Sequence, residues 1–207
     1  MKKYLILLDI IFYAAIPLIV WNAGRGYLGD YNTILASSIP GILYSAFRFY
    51  EVKKINFTGI FILASLIIGT SSDFLAGSAL QLLWNNVFYS IAVSLFFLLT
   101  IFSNKPAALL LSLDLAEMQG NDRASMNDLF LQKKVLYVFK LITMLFAARE
   151  LVLSFVMVLL IKKYGVEAFD HGIIYKQAIS WSFTIVSIGG FIYISKLINQ
   201  DPERIQS

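Results

Sequence analysis

An arginine and a glutamate stand side by side in an otherwise apolar part of the chain. Arg149 and Glu150 lie near the middle of residues 135–161, a stretch long enough to cross a bilayer. An unpaired charge at that depth costs at least ~2.5 kcal/mol, so such groups indicate a substrate or proton site, or an ion network that fixes helix register. Adjacent helical residues point about 100° apart, and we therefore expect each charge to face its own interior partner.

Polar residues recur at helical spacing on two segments. One stripe consists of Lys140, Thr143, Ala147, Glu150 and Ser154, and another of Ser78, Gln81, Asn85 and Tyr89. Amides and charges cannot face lipid without leaving hydrogen bonds unmade, so each stripe lines a cavity or contacts neighbouring helices. We predict substrate contacts at five residues: Arg149, Glu150, Lys140, Gln81 and Asn85.

A second pair of opposite charges is predicted near the cytoplasmic side. Asp9 lies in the first apolar run and Arg48 near the end of the second. We expect Asp9 to pair with Arg48 or with Lys140, either as a proton-coupling carboxylate or as a structural ion pair. Tyr13, one helical turn beyond Asp9, is in position to donate a further hydrogen bond.

Other residue groups have simpler interpretations. Three small residues at four-residue spacing, Ser37, Gly41 and Ser45, permit close approach of another helix. Four acidic residues are interpreted as solvated charge, too loosely spaced for a metal loop: Asp114, Glu117, Asp122 and Asp128.

Most catalytic classes lack their parts in this sequence. Cysteine is absent and His171 is the one histidine, so a zinc site, a His-Glu-x-x-His helix and a buried Ser-His pair are all excluded. We expect no enzyme activity, no metal and no cofactor. The lysines and arginines flank apolar runs and do not form a stripe, which argues against nucleic acid as a partner.

The composition is that of a membrane protein. Hydrophobic residues make up 58% of the 207 residues and charged residues 14%, where a soluble domain has about a quarter charged. We predict an all-α, polytopic helix bundle in one transmembrane domain, residues 1–207. Its six spans are predicted at residues 4–21, 33–50, 55–71, 84–102, 138–161 and 178–194, with a glycine-rich loop at 22–32 and a polar loop at 162–177.

The central uncharged run is too long for one perpendicular span. Residues 74–104 carry no formal charge, about ten more residues than a crossing needs. We therefore predict a short re-entrant or interfacial segment at residues 74–83 before the span at 84–102. Residues 103–134 are predicted as a cytoplasmic loop that begins with a short interfacial helix at 107–115.

The distribution of basic residues predicts the orientation. With the amino terminus inside, eleven of the 17 lysines and arginines fall on cytoplasmic segments and four on external ones. Cytoplasmic loops carry such an excess in known membrane proteins. Both termini are therefore predicted to be cytoplasmic.

Several short motifs occur together in the first half of the chain. They are Leu8-Asp9 with Pro17, Ser38-Ile39-Pro40, Tyr44-Ser45, Arg48-Phe49, Lys54 with Asn56 and Gly59, Gly77-Ser78, and Lys105-Pro106. With them, residues 5–106 resemble a family of small, functionally uncharacterised bacterial integral membrane proteins that is sometimes grouped with intracellular septation protein A. The resemblance implies a bacterial inner-membrane location and an envelope-related role, and it supplies no catalytic residues.

Three functions are compatible with these features. The leading hypothesis is a small carrier, or carrier subunit, for an anionic or amphipathic solute, in which Arg149 binds the anion and Glu150 or Asp9 couples a proton. The alternative is a non-transporting envelope or septation scaffold that holds a protein partner through faces such as Ser37-Gly41-Ser45. The third is a lipid-modifying enzyme. The expected partners are the bilayer, a small anionic or lipid-like ligand and, in the alternative, an envelope protein.

Overall fold

The structure, a computed structural model, describes residues 8–52 and 56–200, without the side chains of residues 48, 51, 52 and 200. The described chain is all-helical. Its helices are α1 (Ile16–Val52), α2 (Phe57–Phe74), α3 (Ala79–Phe102), α4 (Ala107–Met118), α5 (Arg123–Phe130), α6 (Lys133–Tyr164) and α7 (Ala168–Gln200). A π-helical turn (Ile11–Ala15) precedes α1, and a 3-10 turn (Gly165–Glu167) separates α6 from α7.

Four helical stretches of the described chain are long and apolar enough to cross a membrane. They are Leu8–Phe47, Phe57–Phe74, Ala79–Phe102 and Lys133–Asn199. The first has 40 residues and the last 67, more than the roughly 20 that one crossing needs. Each of these two is interrupted, the first at Gly29 and the last at Gly165–Glu167.

The polarity of the surface suits hydrocarbon. Large apolar side chains are widely exposed, among them Leu99 at 68% and Phe155 at 65%. The hydroxyls of Thr33, Ser37 and Thr143 are instead fully buried. A soluble protein with this many exposed apolar side chains would aggregate, whereas lipid solvates them and forces hydrogen-bonding groups inward.

The chain falls into two compact units. Among the described residues, the first unit comprises 8–52, 59–91 and 152–179, and the second comprises 56–58, 92–151 and 180–200. Helices α2, α3, α6 and α7 each contribute one part of their length to the first unit and the other part to the second. The two units are described separately below.

In the first unit, residues 8–52 form a helical hairpin with its turn at Gly29. Its two arms contact each other far from the turn, where the Tyr44 hydroxyl donates to Asp9 Oδ1 at 2.9 Å. The rings of Phe12 and Tyr44 stack with centroids 4.8 Å apart. Tyr13 packs on Gly41, where an added Cβ would lie 3.2 Å from its ring. The small residue at position 41 thus allows the arms to approach.

Two apolar clusters complete this unit. Around the hairpin, Trp21 and Ile34 pack with Ala79 and Leu82 at the start of α3. The second cluster joins α3 to the end of α6 and the start of α7 and consists of Leu83, Val87, Leu160, Ile161 and Ala168. The same face of α3 therefore serves both clusters.

The second unit is built around α4. Its buried cluster consists of Ala108, Leu109, Leu113, Phe130, Val135, Val138, Phe139, Ile142 and Ile194, from α4, α5, α6 and α7. Gly190 permits the close approach of α7 to α6, because a Cβ there would lie 2.9 Å from Ile142. The helix predicted as interfacial is thus largely buried: Ala107, Ala108 and Leu109 are fully enclosed.

The predicted loops at residues 22–32 and 162–177 are helical except at their single breaks. Polar residues there bond within the helix and do not end it: Asn22 Nδ2 donates to Leu18 O, and Asn32 Nδ2 to Leu28 O. Arg25 pairs with both Asp30 and Glu167, so charged groups near both breaks are satisfied locally. The polar composition of these two segments predicted loops, and that prediction was wrong because the polar side chains form hydrogen bonds within the helices.

The short segment predicted at residues 74–83 is not a separate element. The chain turns at Leu75 to Ser78, where Gly77 has a φ of +71°, and α3 then runs unbroken from Ala79 to Phe102. Leu82 and Leu83 are buried, and their packing continues the helix. Likewise the predicted loop at 103–134 contains α4 and α5. The predicted spans at 33–50, 84–102, 138–161 and 178–194 lie inside observed helices, whereas the starts of 4–21 and 55–71 fall outside the described residues.

A substitution at the turn of the hairpin tests the hairpin geometry directly. Gly29 has φ +74° and ψ 165°, a region that only glycine enters readily. We expect Gly29→Ala to destabilise the protein by about 1–3 kcal/mol, the typical cost of such a conformation for a residue with a side chain. The measurement is thermal unfolding of purified protein in detergent.

The matched control is Gly26→Ala, three residues earlier in the same helix. A Cβ at Gly26 would meet no described atom within 4 Å, and helical alanine is favoured over glycine. This control should be neutral or stabilising. Equal unfolding temperatures for the two variants would contradict the hairpin geometry.

Candidate functional site

Arg149 and Glu150 lie at the middle of α6, a helix of 32 residues and about 48 Å. They pair with each other, a contact that the angle of about 100° between adjacent helical positions did not predict. Arg149 Nε donates to Glu150 Oε1 at 3.0 Å, and Arg149 Nη2 donates to the same oxygen. The long arginine side chain folds back along the helix and overcomes the unfavourable angle between neighbouring positions.

The two partners differ in burial. Glu150 is 8% exposed, while the Arg149 side chain keeps 33% of its surface exposed. A carboxylate this deep in apolar surroundings is stable only with a cation or hydrogen-bond donors beside it. Arg149 supplies both, and a third of its side-chain surface stays exposed.

Glu150 lies on the first of the two polar stripes predicted from the sequence, the one on α6. Thr143, Ala147, Glu150 and Ser154 are all buried. Two contacts in the second unit hold the helix next to the ion pair: Ser94 Oγ donates to Ala147 O at 3.0 Å, and the ring of Phe97 packs on that of Phe146. Ser94 in α3 thus donates a hydrogen bond to a backbone carbonyl that lies about one helical turn before Glu150.

Lys140 does not join this pair. Its Nζ donates to Asn104 Oδ1 at 2.9 Å, and its position is nine residues, about 13 Å, from Arg149 along α6. Asn104 has a φ of +56° in the turn after α3. The lysine therefore helps to fix that turn, and its role in substrate binding remains a prediction without a geometric link to Arg149.

Gln81 and Asn85 form hydrogen bonds with each other and with the end of α2. Gln81 Nε2 donates to Asn85 Oδ1 at 3.3 Å, and Asn85 Nδ2 donates to Ser72 O at 3.0 Å. Tyr31 donates to the carbonyls of Asp73 and Phe74 in the same place. The polar start of α3 therefore satisfies the carbonyls at the end of α2.

Asp9 accepts a hydrogen bond from a tyrosine that the sequence did not predict as its partner. Its described partner is Tyr44, and Tyr13 bonds Ser45 at 2.6 Å and not Asp9. The Arg48 side chain lies outside the described residues, so the Asp9–Arg48 pair remains a prediction, and Lys140 bonds Asn104. The π turn begins two residues after Asp9, an irregularity that is frequent at functional sites.

The predicted docking face on the second arm is occupied. Ser37 is fully buried, Gly41 contacts Tyr13, and Ser45 bonds the Tyr13 hydroxyl. These small residues therefore pack the hairpin against itself.

Sequence reasoning missed one buried carboxylate. Asp114, interpreted as solvated, is 1% exposed. Its Oδ2 accepts from the backbone N–H and the hydroxyl of Thr58, both at 2.7 Å, and its Oδ1 accepts from Arg123 Nη1 at 2.8 Å. Arg123 also binds Glu117 at 2.9 Å. The position of Asp114 in the leucine-rich run 109–115 was the signal of its burial.

The Asp114 group is a cap for α2. Thr58 lies in the first turn of that helix, where backbone amides have no partner within the helix. The hydrogen bonds that Arg123 donates, first to Asp114 and then to Glu117, raise the pKa of Arg123 above its ordinary value, so the arginine stays charged at any working pH. The network joins the start of α2 to α4 and α5.

A metal site has no support among residues 8–52 and 56–200, which contain no cluster of three acidic or histidine side chains with ligand geometry. The chain matches no protein-family model, no curated protein and no solved structure. The Arg149–Glu150 pair, buried at mid-helix, is the feature on which a function can be argued.

The cap can be tested by removing its charge. Asp114→Asn should destabilise the protein by about 1–3 kcal/mol, because it weakens the buried hydrogen bonds from Thr58 and removes one of the two carboxylates that pair with Arg123. Glu117→Gln removes the more exposed partner of Arg123 and should cost less than about 1 kcal/mol. Unfolding in detergent measures both. Similar losses for the two variants would show that Asp114 is not a buried cap.

Proposed function

We propose that this protein is a small carrier, or a carrier subunit, of the bacterial cytoplasmic membrane that moves an anionic solute together with a proton. In this topology the two interrupted stretches each cross twice and α2 and α3 once, giving six spans. The excess of basic residues on the segments predicted as cytoplasmic supports a cytoplasmic position for both termini. The resemblance of residues 5–106 supports a bacterial inner membrane.

The Arg149–Glu150 pair carries the proposal. An arginine at mid-helix with part of its surface accessible is suited to bind a carboxylate or a phosphate, since its planar fork matches both. In the described state, however, Glu150 occupies that fork. A substrate anion must therefore compete with a carboxylate that is held next to the guanidinium.

Protonation of Glu150 removes this competition. The neutral acid binds the guanidinium less strongly, so the pair changes from neutral to a net positive charge that attracts an anion. Binding of the anion and of the proton are then linked: each favours the other by the same free energy. The proton and the substrate anion together cross the hydrocarbon with a smaller net charge than the anion or the proton would carry alone.

Two single substitutions separate the roles. In proteoliposomes, we expect Glu150→Gln to retain anion binding but to lose stimulation of uptake by an inward proton gradient. Arg149→Ala should abolish uptake at any pH. The probes are inorganic phosphate, a radiolabelled monocarboxylate and a fluorescent anionic phospholipid, and Lys162→Gln at the exposed end of the same helix is the control.

Folding must be measured in parallel. Removing one partner of a buried pair can cost 3–5 kcal/mol, whereas replacing both by apolar residues is often neutral. The double variant Arg149→Met with Glu150→Leu should therefore fold. If the double variant folds and also restores the phenotype of a strain that lacks this protein, the pair is structural and the carrier proposal fails. Absence of uptake of all three probes by wild-type protein would also count against it.

A further inference from the structure

Four lysines of the second unit lie at the start of α6 and in the turn after α3. Lys133 and Lys134 are the first two residues of α6 and are exposed, and Lys105 is exposed in the turn. Lys140, two helical turns into α6, donates from its Nζ to Asn104 Oδ1 and so holds that turn against the helix. These four lysines are called the lysine surface below.

No described carboxylate neutralises the lysine surface. In the part of the chain that the structure describes, none of the four lysines forms a salt bridge. The nearby carboxylates of Asp114 and Glu117 are paired with Arg123. Asp128, exposed at the end of α5, forms no ion pair with the lysines. Four like charges repel one another, so an anion bound between them is stabilised.

The lysine surface borders side chains that are suited to hydrocarbon. Three exposed side chains lie within about 80° of Lys133 around the axis of α6, and therefore on the same face: Tyr137, Leu141 and Met144. On α3, Phe102 is 83% exposed, three residues before Lys105. Lipid solvates such side chains, whereas the ammonium groups need water or an anion. The lysines therefore stand at the boundary between acyl chains and headgroups.

The spacing along α6 fits a headgroup. Lys133 and Lys140 are seven residues, about 10 Å, apart on one face, and the headgroup layer on each side of a bilayer is roughly 5–8 Å thick. Helical side chains tilt toward the amino terminus, so Lys140 leans toward Lys133. Tyr137 lies between the two and is 63% exposed. Its hydroxyl is a hydrogen-bond donor, and Lys140 keeps ammonium protons beyond the one that Asn104 accepts.

We propose that the lysine surface binds the headgroup of an anionic phospholipid, with the phosphodiester among the ammonium groups and the acyl chains along the exposed apolar face of α6. The charge selects a lipid whose phosphate carries no amine of its own, because a zwitterionic headgroup would bring a fifth cation to the four lysines. The inference goes beyond the proposed transport of anions. It uses neither Arg149 nor Glu150 and would hold if that pair were structural.

The test is lipid binding by the full-length protein in a neutral detergent, measured by native mass spectrometry. The probes are phosphatidylglycerol and phosphatidylethanolamine with identical acyl chains, and we expect phosphatidylglycerol to be retained at the lower concentration. A lysine near an anionic lipid surface contributes about a factor of five to binding, so Lys133→Gln with Lys134→Gln should weaken retention of phosphatidylglycerol by more than about tenfold. Lys133→Arg with Lys134→Arg keeps both charges and should retain the lipid.

A matched pair of lysines at the other end of the same helix provides the control. Lys162 and Lys163 are also exposed, but they lie in the last turn of α6, where the helix carbonyls stabilise cations. Lys163 Nζ also lies 4.9 Å from the centre of the Tyr164 ring. Lys162→Gln with Lys163→Gln removes the same charge and should leave phosphatidylglycerol binding almost unchanged.

Thermal unfolding checks that the double variants fold. If the pair at the start of α6 does not, Lys105→Gln in the turn after α3 takes its place, with an expected loss of about fivefold.

Three results would overturn the proposal. Equal losses for the lysine pairs at the two ends of α6 would mean that the lipid responds only to the total charge of the protein. Equal retention of the two lipids by the wild-type protein would mean that the lysines do not select the headgroup. Displacement of phosphatidylglycerol by inorganic phosphate at the concentration of the lipid would mean that the surface takes a free anion and not a lipid.

Discussion

Hydrocarbon offers no hydrogen bonds, and this constraint explains most of the polar contacts in the structure. Helix α2 is the clearest case, since its 18 residues span about 27 Å, slightly less than the ~30 Å of a bilayer core. A crossing helix of this length would have its ends where water is scarce, and at both ends of α2 side chains bond the backbone in place of water. Asp114 receives the amide of Thr58, and Asn85 and Tyr31 donate to the last carbonyls. The polar face at the start of α3, which could equally have lined a cavity, is used for this purpose.

The same constraint gives the charged groups different roles. Arg123 contacts two carboxylates, Asp114 and Glu117, and Asp114 also caps the start of α2. The Arg149–Glu150 pair lies at mid-helix and joins one cation to one carboxylate. In the proposed function this second pair binds the anion, and the Arg123 cluster is structural.

Hydropathy predicted the helices because it depends on composition alone, and long apolar runs have few alternatives. Their ends were harder to place. Asn22 to Asn32 has the glycines and polar residues of a loop, yet its asparagines bond to the preceding helical turn, and only Gly29 breaks the helix. The contacts between side chains distant in sequence were harder still to predict. Thr58 and Asp114 are separated by 56 positions, so no local pattern could connect them. Arg149 was identified by its depth, but its bond to an adjacent residue depends on the side-chain conformation and not on helix geometry.

The direct pairing of Arg149 with its neighbour also has an energetic consequence. Both charges are carried by adjacent residues of one helix, so the pair does not depend on how neighbouring helices are placed. Bringing an anion to Arg149 therefore needs a rotation of side chains, and it leaves the hydrogen bond between Ser94 and Ala147 intact. An ion pair formed between two helices would instead have to separate them. In the proposed function, the site would therefore exchange the Glu150 carboxylate for a substrate anion by side-chain rotation at Arg149.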